Sequence, residues 1–563
     1  MAGRISYIDS HTILATTSPR TPEKMIPEIK LLCDNFNGAI WNKESQTAFM
    51  ELLRNENFFN GEGKNDPSFS ARDRINRAPQ SLGFVILYPR IELTPAGERL
   101  LSSQRKEEVF LRQLLKFQLP SAYHSAKRGQ EQFNVRPYLE LFRLIRHFGS
   151  LSFDELMLFG LQITDYHKFD EIVEKVEAFR IAKAENRGRY KQFKADYWEE
   201  VVCDLYSDDL AAGNTRTRET DDDSPEEFKE KKKSNMRDYA DACVRYLRST
   251  GMVNISHVGH SLSIVEEKKE EVDYFLENMP RDPLYIGDKQ GYIDFLTNPR
   301  LPVLLTDDKD RLLAKFESEF PSIAVKEDKP IEELKDLWDA SIDERREKLL
   351  GEEIVDIKDG REYDDIKEVF TQLKTRRIYD PALMLEWNVW RAMTMIDGGN
   401  IHANLKFDDF GKPLSTAQGN MSDIVCDYGD FDVTVEVTTA TGQKQYEMEG
   451  EPVMRHLGKH KKSTGKETYC LFIAPQINPT TITHFYALHL MNLDLYGGKL
   501  TIIPVDYSIF EKMLDDSFKA AYTPNPEQVR SLFLYSNEMA RSAAGETEWY
   551  DAVKNKALNW LEA

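Results

Sequence analysis

Cysteine is scarce in this 563-residue chain. Its five residues, Cys33, Cys203, Cys243, Cys426 and Cys470, are scattered and never form a C-x-x-C pair. That argues against a disulfide framework or a structural zinc site and fits a reducing compartment. Long apolar runs are missing as well: nothing approaches the ~20 residues of a membrane span. The opening MAGRISYIDSHT lacks the apolar centre of a signal peptide. The expectation is a cytoplasmic protein with no membrane association. There is no internal repeat and no low-complexity tract. A G-x-x-x-x-G-K-[ST] loop is absent too, since STGKET has neither the leading glycine nor a Ser/Thr after the lysine. That excludes an ATP-driven enzyme of the P-loop kind.

What is present is an ordinary folded composition, 41% hydrophobic, 30% charged and 11% aromatic. The length calls for three or more domains, since one domain usually spans ~100–200 residues. The net charge of −21 is unevenly spread. Residues 1–150 carry 21 Lys and Arg against 16 Asp and Glu, whereas the remainder carries 53 against 79. A basic N-terminal part is compatible with phosphate contact even in an acidic chain, because backbone affinity depends on local neutralisation.

Apolar spacing predicts short helices over 27–34 and 47–53, then the basic stretch FSARDRINRAP, a strand LGFVIL, a turn at Pro89 and a second strand RIEL. Thr94 followed by Pro95 is an N-cap with proline at the first helical position. This order looks like a winged helix, with the wing at 84–93 and its basic helix or loop at 70–78, closing near the turn HSAKRGQEQ at 124–132. A second module of the same kind is expected over 133–266. It has helices at 137–147 and 153–162, another opening near Lys168 and one at 236–249, a C-cap at Gly251, and strands MVNIS and SLSIV around HVGH. Residues 201–234, with TDDDSPEEFKEKKK, read as a solvated insertion. Residues 267–380 read as a charged helical connecting domain, with Leu334, Leu337, Trp338 and Ile342 on one stripe. DNA contacts are expected from Arg20, Lys24, Arg72, Arg74 and Arg77, as partners of guanine edges or of phosphate.

Residues 381–563 carry the chemistry. PALMLEWNVWRAM is a helix with Leu383, Trp387, Trp390 and Met393 toward a core and Glu386 among them. SDIVCDYGDFDVTVEVTTA alternates as a hairpin about Gly429-Asp430, with Thr434, Glu436 and Thr438 opposite Val433, Val435 and Val437. In that register Asp423 faces Glu436. Opposed residues have Cβ atoms ~4.5–5.5 Å apart, so the two carboxylates repel unless a cation joins them. Hard oxygen ligands suit Mg²⁺. Further strands at ETYCLFIAPQI and KLTIIPVDYS flank a helix at TITHFYALHLMN, the layout of a PD-(D/E)XK nuclease core. The fold class is therefore multidomain α+β: tandem winged-helix-like modules (1–132 and 133–266), a helical linker (267–380) and a PD-(D/E)XK-like α/β nuclease domain (381–563).

The chain also resembles the AlwI-type family of type IIS restriction endonucleases, which includes PleI, MlyI and the BstNBI-like nicking enzymes. The resemblance rests on TSPRTPEKMIPE, FSARDRINRAPQSLGF, FLRQLLKFQLPS, NMRDYADACVRYLR, LEWNVWRA, Ser422-Asp423, VEVTTATGQKQYEMEGEPVMRH and YCLFIAP, in that order along nearly the whole chain. It implies that Glu386, Asp423, Glu436 and Glu449 are the active-site acids, and that the Val437 carbonyl helps Asp423 and Glu436 hold the metal. The usual E-x-K lysine is replaced by Thr438, which leaves Glu449, Lys444 or a metal-bound water as the base. His456 and His460 read as solvated or phosphate-contacting. The expected function is Mg²⁺-dependent, ATP-independent cleavage of double-stranded DNA at a fixed offset from a short asymmetric site. The chains would pair transiently through the nuclease domain. A strand-specific nickase is the alternative, and a non-catalytic DNA-binding regulator is a more distant one.

Overall fold

The computed structural model describes the chain except residues 1–10, 14–17, 20, 57–58, 60–65, 124–132, 217–223, 257–260, 326–327, 376–377, 379–380, 398, 418–420, 521–523 and 562–563. Thr94 shows how local chemistry sets the first elements. Its hydroxyl accepts a hydrogen bond from Gly97 N at 3.0 Å and starts the helix Pro95–Ser102. Gly97 lets this helix close on the hairpin before it, because a Cβ there would meet the Phe84 carbonyl oxygen at 2.2 Å. The hairpin pairs Val85–Ile86 with Glu92–Leu93. The two earlier helices run as Met25–Phe36 and Lys43–Arg54, and the basic stretch is the helix Pro67–Ile75 followed by the turn Ala78–Ser81. The basic turn 124–132 lies outside the described residues.

The next helices are Pro137–Phe148 and Phe153–Leu158, and between them lies a strand that no pattern announced, Ser150–Ser152. It pairs with Ser261–Ile264, which also pairs with Val253–Ser256. HVGH, at 257–260, is outside the described residues. The span 201–234 corrects the expectation of a solvated insertion. Most of it is helical, as the end of Tyr190–Leu205, Ser207–Ala211 and the start of Pro225–Arg248. Ser224 caps the last of these, Phe228 is fully buried, and Lys229 pairs with Glu199 at 2.6 Å, with Lys233 on the same carboxylate. The charge run is one face of a packed helix.

The chain divides into two compact units, Met1–Ala314 and Lys315–Ala563. The division falls inside the span expected to be a connector. Within the first unit, one apolar core runs from Ile13 to Leu304. The last turn of the helix Lys289–Thr297 and the segment after it are strapped to the helix Lys106–Lys116 by buried cations. Lys116 Nζ donates to the carbonyls of Leu296 (2.8 Å) and Asn298 (2.7 Å). Arg112 donates to those of Arg300 and Pro302 and pairs with Asp307 at 2.7 Å.

The second unit opens with the long helix Ile331–Lys358, where Leu334 and Ile342 are buried and Trp338 packs against Phe316 and Phe320. Its core is a five-stranded sheet in the order Ile502–Asp506, Glu467–Ala474, Phe431–Val437, Ile424–Asp427, Asn400–Ala403. The first three strands are parallel and the last two antiparallel. Helices Pro381–Asp397, Gln443–Thr464, Pro479–Leu490 and Tyr507–Lys519 pack on it. Among the described residues no helix is long and apolar enough to cross a membrane.

Candidate active site

The central hairpin follows the register read from its turn. Gly429, at φ +86°, takes the positive-φ position and its N–H bonds Asp427 Oδ1 at 2.8 Å. Pairing then runs Asp427 with Asp432, Cys426 with Val433, Val425 with Thr434 and Ile424 with Val435. One step further, Asp423 leaves the ladder. Its Oδ2 accepts the Val437 N–H at 2.7 Å, and its own carbonyl accepts Asn404 N at 2.9 Å. Val437 thus meets Asp423 through its amide.

Phe431–Val437 is covered on both faces. Val433 and Val435 are fully buried on one, while Thr434 and Glu436 are buried on the other beneath the helix Gln443–Thr464. Glu449, on that helix, is half-buried and hydrogen-bonded by Thr438, the residue in place of the usual lysine. Glu386 is buried on Pro381–Asp397 and accepts Ala417 N at 2.8 Å. Lys444 is exposed at the start of its helix.

These acids sense one another. Burial pushes the Asp423 carboxyl well above its usual range, and the charges of Glu436 and Glu449 add to the shift, against the opposing Val437 N–H. Burial likewise raises Glu436 strongly, helped by Glu449 and Glu386 and opposed by Ser422 and Arg455. Glu449 is raised by burial, with Thr438 and His456 opposing. Such convergence of buried carboxylates costs stability without a cation and makes this a candidate functional site.

Among the described residues, no three His, Cys, Asp or Glu side chains close into a metal cage. Mg²⁺ does not require one, because it generally binds through one or two carboxylates, waters and substrate phosphates. Asp423 and Glu436 are buried hard-oxygen donors crowded by like charge, and they fit that ion.

The histidines differ from expectation. His456 Nδ1 lies 3.0 Å from Glu436 Oε1, and His460 Nε2 lies 2.8 Å from Asp432 Oδ2. Neither is a free surface residue: their side chains are 11% and 21% exposed. Burial, with Arg455 and Lys459 nearby, lowers the His456 pKa to about 4. The signal was available, since two residues four apart on a helix share a face, as do two residues four apart on a strand.

The residues proposed for DNA contact lie in the first unit. Lys24 is exposed at the end of the turn Pro22–Lys24. Arg72 is exposed on Pro67–Ile75, with its guanidinium 5.8 Å from the ring of the exposed Phe69. Arg77 pairs with Asp73 at 2.6 Å. Arg74 is engaged inside the unit. Its Nε donates to Glu28 at 3.1 Å, a second nitrogen meets the other carboxylate oxygen, and Glu28 is only 1% exposed. Arg20 lies outside the described residues.

A family model described as AlwI restriction endonuclease matches residues 80–513. The chain belongs to that family. It is a restriction endonuclease, a site-specific deoxyribonuclease that binds DNA. Among solved structures, the small subunit (R.BspD6I2) of the heterodimeric restriction endonuclease R.BspD6I is similar, at 26% identity over 35% of this chain and 95% of its own, with a TM-score of 0.28. The BpuJ1 endonuclease binding domain, solved with modified DNA, matches 52% of this chain and 100% of its own at 13% identity and TM-score 0.33. Restriction endonuclease FokI matches 93% of this chain and 98% of its own at 11% identity and TM-score 0.25. Curated protein sequences give no match.

Proposed function

We propose that this restriction endonuclease is of type IIS. It would read a short asymmetric double-stranded site with its first unit and hydrolyse phosphodiester bonds at a fixed offset with its second, using Mg²⁺ and no ATP. The observation that carries this is the buried meeting of Asp423, Glu436 and Glu449 at one end of the Phe431–Val437 strand. Asp423 and Glu436, with the Val437 carbonyl, would hold the ion, which supplies Lewis-acid neutralisation of charge at the scissile phosphate. Glu386 completes the acidic ring. We assign proton handling to Glu449 rather than Lys444, because the charge of Glu449 is felt at both Asp423 and Glu436 while Lys444 is exposed.

On the reading side, a helix, Pro137–Phe148, followed by the strand Ser150–Ser152, five further helices ending in Pro225–Arg248 and then a hairpin whose Ser261–Ile264 is central in the small sheet, supports a winged-helix-like reading of 133–266. The helix Pro67–Ile75 beside its hairpin supports a similar reading of 1–132. Arg72→Ala should therefore weaken DNA binding and lower the slope of log affinity against log salt by about 1 if it contacts phosphate. The variant's thermal stability should not change, because the side chain is exposed. Unchanged affinity and slope would remove Arg72 from the interface.

Incubating the protein with plasmid and Mg²⁺ without ATP, then sequencing the ends, tests the whole reading. Cuts at one distance from a shared asymmetric word are expected; cuts within the word or at random overturn it. The acids assigned above form one candidate centre per chain, so cutting both strands calls for a second copy, paired through the nuclease unit. Conversion of nicked to linear plasmid should then rise more steeply with enzyme concentration than the first nick. Nicked circles that persist at high enzyme excess would identify a strand-specific nickase.

A further inference from the structure

We infer that His456 is a positioning residue: its Nδ1–H fixes the Glu436 carboxylate in the orientation that takes up Mg²⁺. This rests on reading Asp423 and Glu436 as the metal-holding pair. Glu436 is crowded by like charge, since Glu449 and Glu386 both act on it. Ser422 hydrogen-bonds this carboxylate as well, so its orientation is shared between two partners. The contact from His456 Nδ1, at 3.0 Å, falls on Oε1. When a bound cation keeps Glu436 ionised, the nitrogen must be the donor, and with Oε1 held the direction of the second oxygen is set.

The contact is enforced by packing rather than chosen by a flexible side chain. Val453 and Leu457, on the same helix as His456, are fully buried against the sheet. On its other side the helix is held by the turn Asp494–Tyr496, which Gly458 lets close on it, because a Cβ there would meet the Tyr496 side chain at 2.5 Å. The position of His456 over Glu436 is therefore set by the core. Hydrogen bonding of this kind to ligating groups orients them, and its loss typically weakens metal binding ~10–100-fold.

His460, one turn further along the helix, makes a bond of the same type to Asp432 of the same strand. Asp432 also receives Lys466 Nζ at 3.0 Å, which offsets its charge. That pair is a complete staple between helix and strand. The His456 pair differs in one way: Glu436 has the charge of Arg455 nearby, but the second ring nitrogen of His456 is buried with no hydrogen-bond partner among the described residues. A ring serving only to fasten the helix would be expected to satisfy both nitrogens.

The test measures cleavage against Mg²⁺ concentration for the full-length protein and for His456→Ala, His456→Asn, His456→Gln and His460→Ala. DNA affinity is measured in EDTA and folding is checked by thermal melting. His456→Ala should raise the half-saturating Mg²⁺ concentration ~10-fold or more, while metal-free DNA affinity stays within about twofold of the parent. Asparagine places an N–H near the Nδ1 position and should restore most of the Mg²⁺ response, whereas glutamine extends to the Nε2 position and should not. His460→Ala should lower melting temperature without moving the Mg²⁺ response. If His456→Ala does not fold, the Asn and Gln variants decide the matter. The inference is overturned if the Mg²⁺ response is unmoved, if glutamine restores it and asparagine does not, or if His460→Ala shifts it equally. Failure of the underlying site reading looks different: Glu436→Gln would then cleave like the parent.

Discussion

Asp423→Asn should lose cleavage by ~10²–10³-fold or more, as expected when a fixed charge at the reacting centre is removed, while site-specific DNA binding stays close to that of the parent. The same change should make the metal-free protein more stable. Asp423 is buried beside Glu436 and Glu449, and its carboxyl is pushed well above the ordinary range by burial first and these neighbours second. Asparagine keeps the shape, and its carbonyl oxygen can still accept the Val437 N–H, but it has no charge to desolvate. The pH dependence has a definite sign. An acid raised in the fold is protonated there over a range where the unfolded chain has already released its proton. The stability it contributes is therefore complete below the ordinary carboxylate range and is lost as pH rises through the raised folded value. Melting curves in EDTA should show the parent falling more steeply than Asp423→Asn over that window. Parallel curves would mean that the Asp423 carboxyl is not raised in the fold. Loss of DNA binding together with cleavage would argue against separate reading and cutting.

Arg74→Ala should cost about 3–5 kcal/mol of stability, the usual consequence of removing one partner from a buried ion pair. Glu28 is almost wholly buried, and burial already raises its pKa despite Arg74 beside it. Without the guanidinium, the helices Met25–Phe36 and Pro67–Ile75 lose their bidentate link and a buried carboxylate is left to protonate. Any drop in DNA affinity should then follow unfolding. Replacing both, as Glu28→Gln with Arg74→Met, should recover much of the loss, since swapping a buried ion pair for neutral groups is often nearly neutral. A variant that melts like the parent yet binds DNA poorly would return Arg74 to the reading surface.

How much was legible in the sequence varied with the range of the interactions. The turn at Gly429 set the hairpin register, because residue type and a two-residue loop leave few alternatives, and the pairing of Asp427 with Asp432 follows from it. Thr94-Pro95 was equally local. Ser150–Ser152 was not readable: three residues carry no alternation, and the strand exists because Ser261–Ile264 offers it an edge. The helical face of Pro225–Arg248 was hidden by its charge, since the residues that neutralise it, such as Glu199, lie far off in sequence. The spacing of His456 and His460 fits no metal pattern; what it matches is the alternate residues Asp432 and Glu436 of a strand. The resemblance to the AlwI-type family was legible over most of the chain and named the four acids. Which ring nitrogen faces which carboxylate required coordinates.

The strap on the helix Lys106–Lys116 bears on how such a protein can be recombined. Lys116 is fully buried, and both of its described hydrogen bonds run to carbonyls beyond residue 295. A specificity module transplanted with a seam near 266 would carry the ammonium into the new host and leave its acceptors behind, a charge in an apolar interior with nothing to solvate it. Natural exchange and deliberate grafting alike would meet that penalty. If the first unit reads DNA as proposed, the exchanged segment would have to extend past Asp307, the partner of Arg112, and chimeras that carry it should fold where shorter ones do not.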